Sequence, residues 1–187
     1  MFKFISGFLY RISNTRVVII SVIIFLLFLT FVLPSQSAEA ENYSSEAGSP
    51  DTSLFYTPDG LYRMAESYGE SGRQAYIRAR FTFDLIFPFV YGFFLAVCIS
   101  WLGARVIRET SSLRILNLFP PFGMFFDFLE NISTSMVMAQ YPLPAPMAVR
   151  LAPVFTMLKW ILVGGSFALL FGLLISWVLV ITKKERQ

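Results

Sequence analysis

Four apolar stretches constrain this chain more than any other feature. They cover residues 17–33, 81–102, 115–140 and 153–182. A helix crosses the hydrocarbon core of a bilayer in about 17–25 mostly apolar residues. Each stretch meets that length, and none alternates with the period of two that a barrel strand needs. A mean hydropathy of +0.63 with only 14% charged residues excludes an ordinary soluble globule. The expected fold is therefore all-α. It is an integral membrane bundle of four transmembrane helices, with an extracytoplasmic amphipathic cap.

The segments between the stretches complete the organisation. In residues 1–16, Phe4 and Phe8, and Ile5, Leu9 and Ile12, recur at helical spacing, with Lys3 and Arg11 at the edges. That pattern predicts a helix lying in the cytoplasmic interface. Residues 34–80 form an outer loop. Its first part, 35–54, is rich in Ser, Ala and Glu without periodicity, and reads as a flexible linker. Its second part predicts amphipathic helices over about 58–80. Thr57 can cap, Pro58 takes the first helical position, and Leu61, Met64, Ala65 and Tyr68 share a face up to Gly69. A short tail, 183–187, closes the chain. Ala38-Glu39-Ala40 has signal-peptidase spacing, so a cleaved leader is the alternative to a retained first helix.

Charge gives the orientation. Lys3, Arg11 and Arg16 precede the first stretch, and Arg105, Arg108 and Arg114 follow the second. Lys183, Lys184 and Arg186 follow the fourth, while the 34–80 loop carries seven acids against four arginines. Cytoplasmic loops collect Lys and Arg. Both termini are therefore expected in the cytoplasm, in a multi-pass protein of the cell (cytoplasmic) membrane. The net charge of +3 follows that pattern, and nothing else supports nucleic acid as a partner. The expected partners are the lipid bilayer, and a membrane protein or a second copy of the chain.

Several chemistries lack their residues. With no His and a single cysteine, Cys98, there is no His-based triad, no CxxC redox pair and no zinc ligand set. No glycine-rich phosphate loop is present, so neither a cofactor nor a metal is expected.

The chemical signal lies in charges inside the spans, which cost about 2.5–3.5 kcal/mol each at the bilayer centre unless they face the bundle interior. Asp127, Glu130, Asn131 and Thr134 stand at i, i+3, i+4 and i+7, on one helical face. Phe125, Phe126, Phe128, Leu129, Ile132 and Met136 are left for lipid. Asp84 lies near the start of the second stretch, with Arg80 or Arg150 as its simple partner. Lys159 lies as far below the proline-rich 141–153 turn on one side as Glu130 does on the other, so the two are expected to approach. The competing reading of Lys159-Trp160 is an interfacial anchor. Pro120 and Pro121 are expected to kink the third helix. Gly164, Gly165 and Gly172 are expected to let the fourth pack closely against its neighbours.

One further pattern is present. Tyr56-Thr57-Pro58, Tyr62, Tyr68-Gly69, Gly72-Arg73, Tyr76, Asp84, Phe87-Pro88 and Tyr91-Gly92 are followed by Asp127-x-x-Glu130-Asn131, Pro153 and Lys159. The whole, over residues 56–182, resembles a family of uncharacterised small four-span membrane proteins of prokaryotes. The resemblance implies the four-helix bundle and the membrane location, and no mechanism.

For function, the first expectation is an interaction or scaffold component with a charged intramembrane cluster. The alternative is a small ion-, proton- or solute-handling protein using Asp127, Glu130 and Lys159. A more distant alternative is an intramembrane lipid-acting enzyme, with Ser133, Ser135 or Ser166 activated by Lys159.

Overall fold

A computed structural model describes residues 1–44 and 47–184, and every regular element among them is helical. α1, Phe2–Ile12, is amphipathic and buries Ser6 and Leu9. Leu9 packs on Ala96 and Leu118. Asn117 Nδ2 donates to the Ser6 carbonyl at 3.2 Å and to Ser100 Oγ at 2.9 Å, which fixes the helix beneath the bundle.

The Asn14 side chain caps α2, Thr15–Leu27, by accepting from the Val17 amide. The chain continues through a π-helical turn, Phe28–Val32, into α3, Leu33–Ser44. This corrects the expected flexible linker from residue 35, because helix persists to Ser44. Two physical reasons apply. A wider π turn just before Pro34 relieves the clash between the proline ring and the carbonyl four residues back. Beyond it, Gln36, Ala38, Glu39, Ala40 and Glu41 are good helix formers even without an apolar stripe. Tyr43 then anchors the end, edge-on to Tyr68 and Tyr76.

α4, Pro58–Ser67, starts where Thr57 Oγ1 accepts from the Gly60 amide at 3.1 Å, with Pro58 at the first position. Gly69 takes φ +63°, a left-handed conformation that a β-carbon would strain, and turns the chain into α5, Gly69–Arg80. Leu61, Met64, Ala65, Tyr68 and Tyr76 pack on Val137, Met138, Ala148, Val149 and Ala152, so the two helices cap one end of the bundle. After a break at Phe81-Thr82, α6 runs over Phe83–Val106.

The third stretch begins later than expected. A 3₁₀ turn, Ser112–Leu118, precedes α7, Phe119–Gln140. Pro120 and Pro121 therefore lie in the first turn of α7, not within it. Their missing amide protons would have no helical acceptor there, so the expected kink does not form. α8 begins at Pro146 and reaches Lys184, earlier than the expected 153. α7 and α8 form an antiparallel pair, the most extensive in the molecule. Gly123 permits it, since a β-carbon there would lie 2.9 Å from Val163 Cγ2.

The glycines of α8 correct another expectation. Gly164 and Gly172 are exposed and have no neighbour within 4 Å, and Gly165 faces only the Phe119 ring. α8 turns Leu162 and Val163 to α7, so Gly164 and Gly172 point away from it and only Gly165 meets its first residue.

Three helices are long and apolar enough to cross a membrane: Thr15–Ser44, Gly69–Val106 and Pro146–Lys183. Ile19, Ile20, Phe171, Ile175 and Leu179 are among many large apolar side chains exposed along them. An apolar surface of that extent marks a membrane protein. α7, 22 residues and about 33 Å long, is shorter than these but still of spanning length, and polar residues dilute its apolar character.

Candidate functional site

The helical period of α7 gathers Asp127, Glu130, Asn131 and Thr134 on one face, and all four are buried. Glu130 has no exposed surface. Across the α7–α8 interface, Lys159 is 6% exposed and forms a direct ion pair with Glu130. Its ammonium also lies 3.7 Å from Asp127 Oδ1 and 3.8 Å from Asp51 Oδ1. Arg80, the last residue of α5, pairs with Asp51 and holds Asp84 Oδ2 at 2.7 Å. Asp51 thus joins the two cations, and the charges form one continuous network.

Neutral groups complete it. Tyr91 OH donates to Asp127 Oδ2 at 2.7 Å, and Thr156 Oγ1 donates to Glu130 Oε1 at 2.6 Å. Tyr56 OH lies 2.9 Å from Thr156 Oγ1. Thr156 gives its hydroxyl proton to Glu130, so Tyr56 is the donor to Thr156, and burial, followed by the nearby Glu130, holds the phenol well above its ordinary pKa. Asn131 Nδ2 reaches the Asp84 carbonyl and Asp127 Oδ1, each at 3.4 Å. Thr134 accepts from Tyr76 OH at 3.0 Å and donates to the Glu130 main-chain carbonyl at 2.9 Å.

The structure therefore brings Asp84, Asp127, Glu130, Asn131 and Lys159 together and turns Thr134 toward the cap. No Ser–Lys pair forms among the described residues. Lys159 goes to carboxylates, and Ser166 Oγ donates to the Leu162 carbonyl at 2.6 Å. Nor do any three of His, Cys, Asp or Glu there stand grouped to hold a metal.

Sequence reasoning missed Asp51, Thr156 and Tyr91 as members of the network. Thr156 lies three residues before Lys159 on the same face of α8, so the spacing rule applied to α7 would have found it. Tyr91 stands seven residues after Asp84 on α6 by the same rule. Asp51 gave no signal, because no periodicity ties it to a face.

A cavity of about 750 Å³ adjoins the network between α2–α3, α5–α6 and α8, with the 48–52 segment at one end. Arg80, Asp84, Asp127, Lys159 and Asp51 line it. α2 leans on α6 but hardly touches α8, which leaves the cavity open on that side. Trp160 lines it as well, while Arg80 Nε and Trp160 Nε1 are enclosed in the protein without a hydrogen-bond partner.

No family model matches the chain, and no curated protein or solved structure matches it.

Proposed function

We propose that the chain is a small ion- or solute-handling protein of the cell membrane, working through the charged cavity. In this reading α7 is the fourth span, both termini are cytoplasmic, and the α4–α5 cap lies outside. The Lys and Arg distribution supports that orientation. The polar stripe of α7 is shielded by α6 and α8, so its acids need not meet lipid.

The observation that carries the reading is the junction of network and cavity. Four carboxylates and two cations are concentrated beside a space of about 750 Å³ that no side chain fills. Ligand pockets of about 300–1,000 Å³ with a few convergent polar groups are the usual form of a small-molecule site. The scaffold reading keeps one supporting fact: each of the four carboxylates has a cationic partner.

Thiol access separates the two. With Cys98→Ser as background, Phe87→Cys places a thiol on the cavity wall. A hydrated pocket predicts rapid labelling by a membrane-impermeant maleimide added outside. A scaffold predicts none, together with a larger complex after purification in mild detergent.

A further inference from the structure

The cavity changes character along its length, and it does so on all three helical walls. On α3 and α2, Glu41 and Ser37 give way to Leu33, Leu29 and Phe25. On α5 and α6, Arg80 and Asp84 give way to Phe87. On α8, Lys159 gives way to Val163 and Phe167. The apolar strip from Leu33 to Phe25 is about 12 Å long. A site for an inorganic ion needs no such wall, and a site for a polar solute would not extend into one.

The polar end holds both signs of charge. Arg80 and Lys159 share its wall with Glu41, Asp51, Asp84 and Asp127, an excess of negative charge that favours an amine. Arg80 and Lys159 stand on the same wall and supply its positive groups. Cations on a wall favour an anionic oxygen. An amine beside an acidic oxygen acceptor satisfies both sets. The open side between α2 and α8 faces the surroundings of the bundle, where the apolar part of a ligand can emerge.

We infer that the cavity binds a zwitterionic amphiphile, with an amine and a phosphate in its head, aligned with the helices. The ammonium lies among Asp84, Asp127 and Asp51, the phosphate meets Arg80 and Lys159, and the chain follows the apolar wall. This rests on the proposed solute-handling function and names the class of solute. A primary amine fits better than a quaternary one, because N–H donors make charge-assisted hydrogen bonds to carboxylates.

The test uses the full chain in detergent, carrying Cys98→Ser and Phe87→Cys, and measures the rate of maleimide labelling. Short-chain phosphatidylethanolamine, phosphatidylcholine and phosphatidylglycerol with identical chains are compared, along with glycerophosphoethanolamine, the head without chains. We expect the ethanolamine lipid to protect at concentrations about tenfold lower than the other two lipids, as one charge-assisted hydrogen bond allows. The head alone should protect poorly, and Asp84→Asn with Asp127→Asn should erase the preference. Equal protection by all three lipids, or best protection by the glycerol lipid, overturns the inference while leaving the pocket standing. Full protection by the head alone also overturns it. A thiol that never reacts overturns the underlying function as well. Should Phe87→Cys not fold, Phe83→Cys on the same wall replaces it. The melting temperature of the unmodified chain across the same lipids is the independent measure, and a rise specific to the ethanolamine lipid is expected.

Discussion

The two ends of the bundle are held together by different forces. Around α1 and the lower parts of α2, α6 and α8, apolar side chains interlock. Phe25 stacks on Phe94 with ring centroids 4.3 Å apart, and Leu95 and Ile99 are almost fully enclosed. Trp101 meets Trp177 edge-on at 5.3 Å. At the capped end, ion pairs and hydroxyl bonds join the helices, and a cavity lies among them. Where neighbours are apolar, packing gains little over lipid but tolerates no gap, so that end is closed. Where they are charged, each group needs its partner, and the same partners remain available to a ligand.

The sharpest way to break this contrast is Lys159→Ala. It leaves Glu130 and Asp127 without their shared cation. We expect a loss of about 3–5 kcal/mol, read as thermal stability in detergent. Lys159→Met combined with Glu130→Gln should recover part of it. Strictly additive losses would mean the two groups do not interact.

The closed end should respond differently. Leu95→Ala is expected to cost about 2–4 kcal/mol through the void it leaves. It should leave the labelling rate at Phe87→Cys unchanged. A changed rate would mean the two ends are mechanically coupled.

Tyr91→Phe removes one hydrogen bond to a carboxylate, and about 1.5–3 kcal/mol of stability is expected to go with it. Its loss should be smaller when measured on an Asp127→Asn background, and a double-mutant cycle reads that difference.

The smallest effect sharpens the glycine correction. Gly172→Leu should stay within about 0.5 kcal/mol for the single chain, since nothing packs there. Cross-linking before and after the change gives the second reading. A shift in oligomeric state would assign that face of α8 to a second copy.

The sequence made the site partly legible. Asp127, Glu130 and Asn131 stood out because a helical period places them on one face, and Lys159 because a short turn matches its depth to Glu130. Thr57-Pro58 and Gly69 marked the start and end of α4 through capping chemistry that is local by nature. Other features depended on neighbours that no local pattern reveals. Ala and Glu between residues 38 and 41 favour a helix by propensity but show no apolar stripe to dock it, and the packing of Tyr43 supplies that anchor. Whether Pro120 kinks a helix or opens one depends on where the helix starts. Whether Gly164 faces a partner depends on the rotation of α8, which Gly123 and Val163 set from across the interface.

The break between α5 and α6 carries a consequence of its own. Thr82 leaves helical geometry with φ −120° and ψ −82°, while its hydroxyl donates back to the Arg78 carbonyl at 2.7 Å. Arg80 stands just before this joint and Asp84 just after it, and their ion pair spans it. Arg80 also grips Asp51, so three segments meet at one guanidinium. Any ligand that draws Arg80 toward itself must slacken the brace across the elbow. The roof would then be free to swing by the very act of filling the room beneath it.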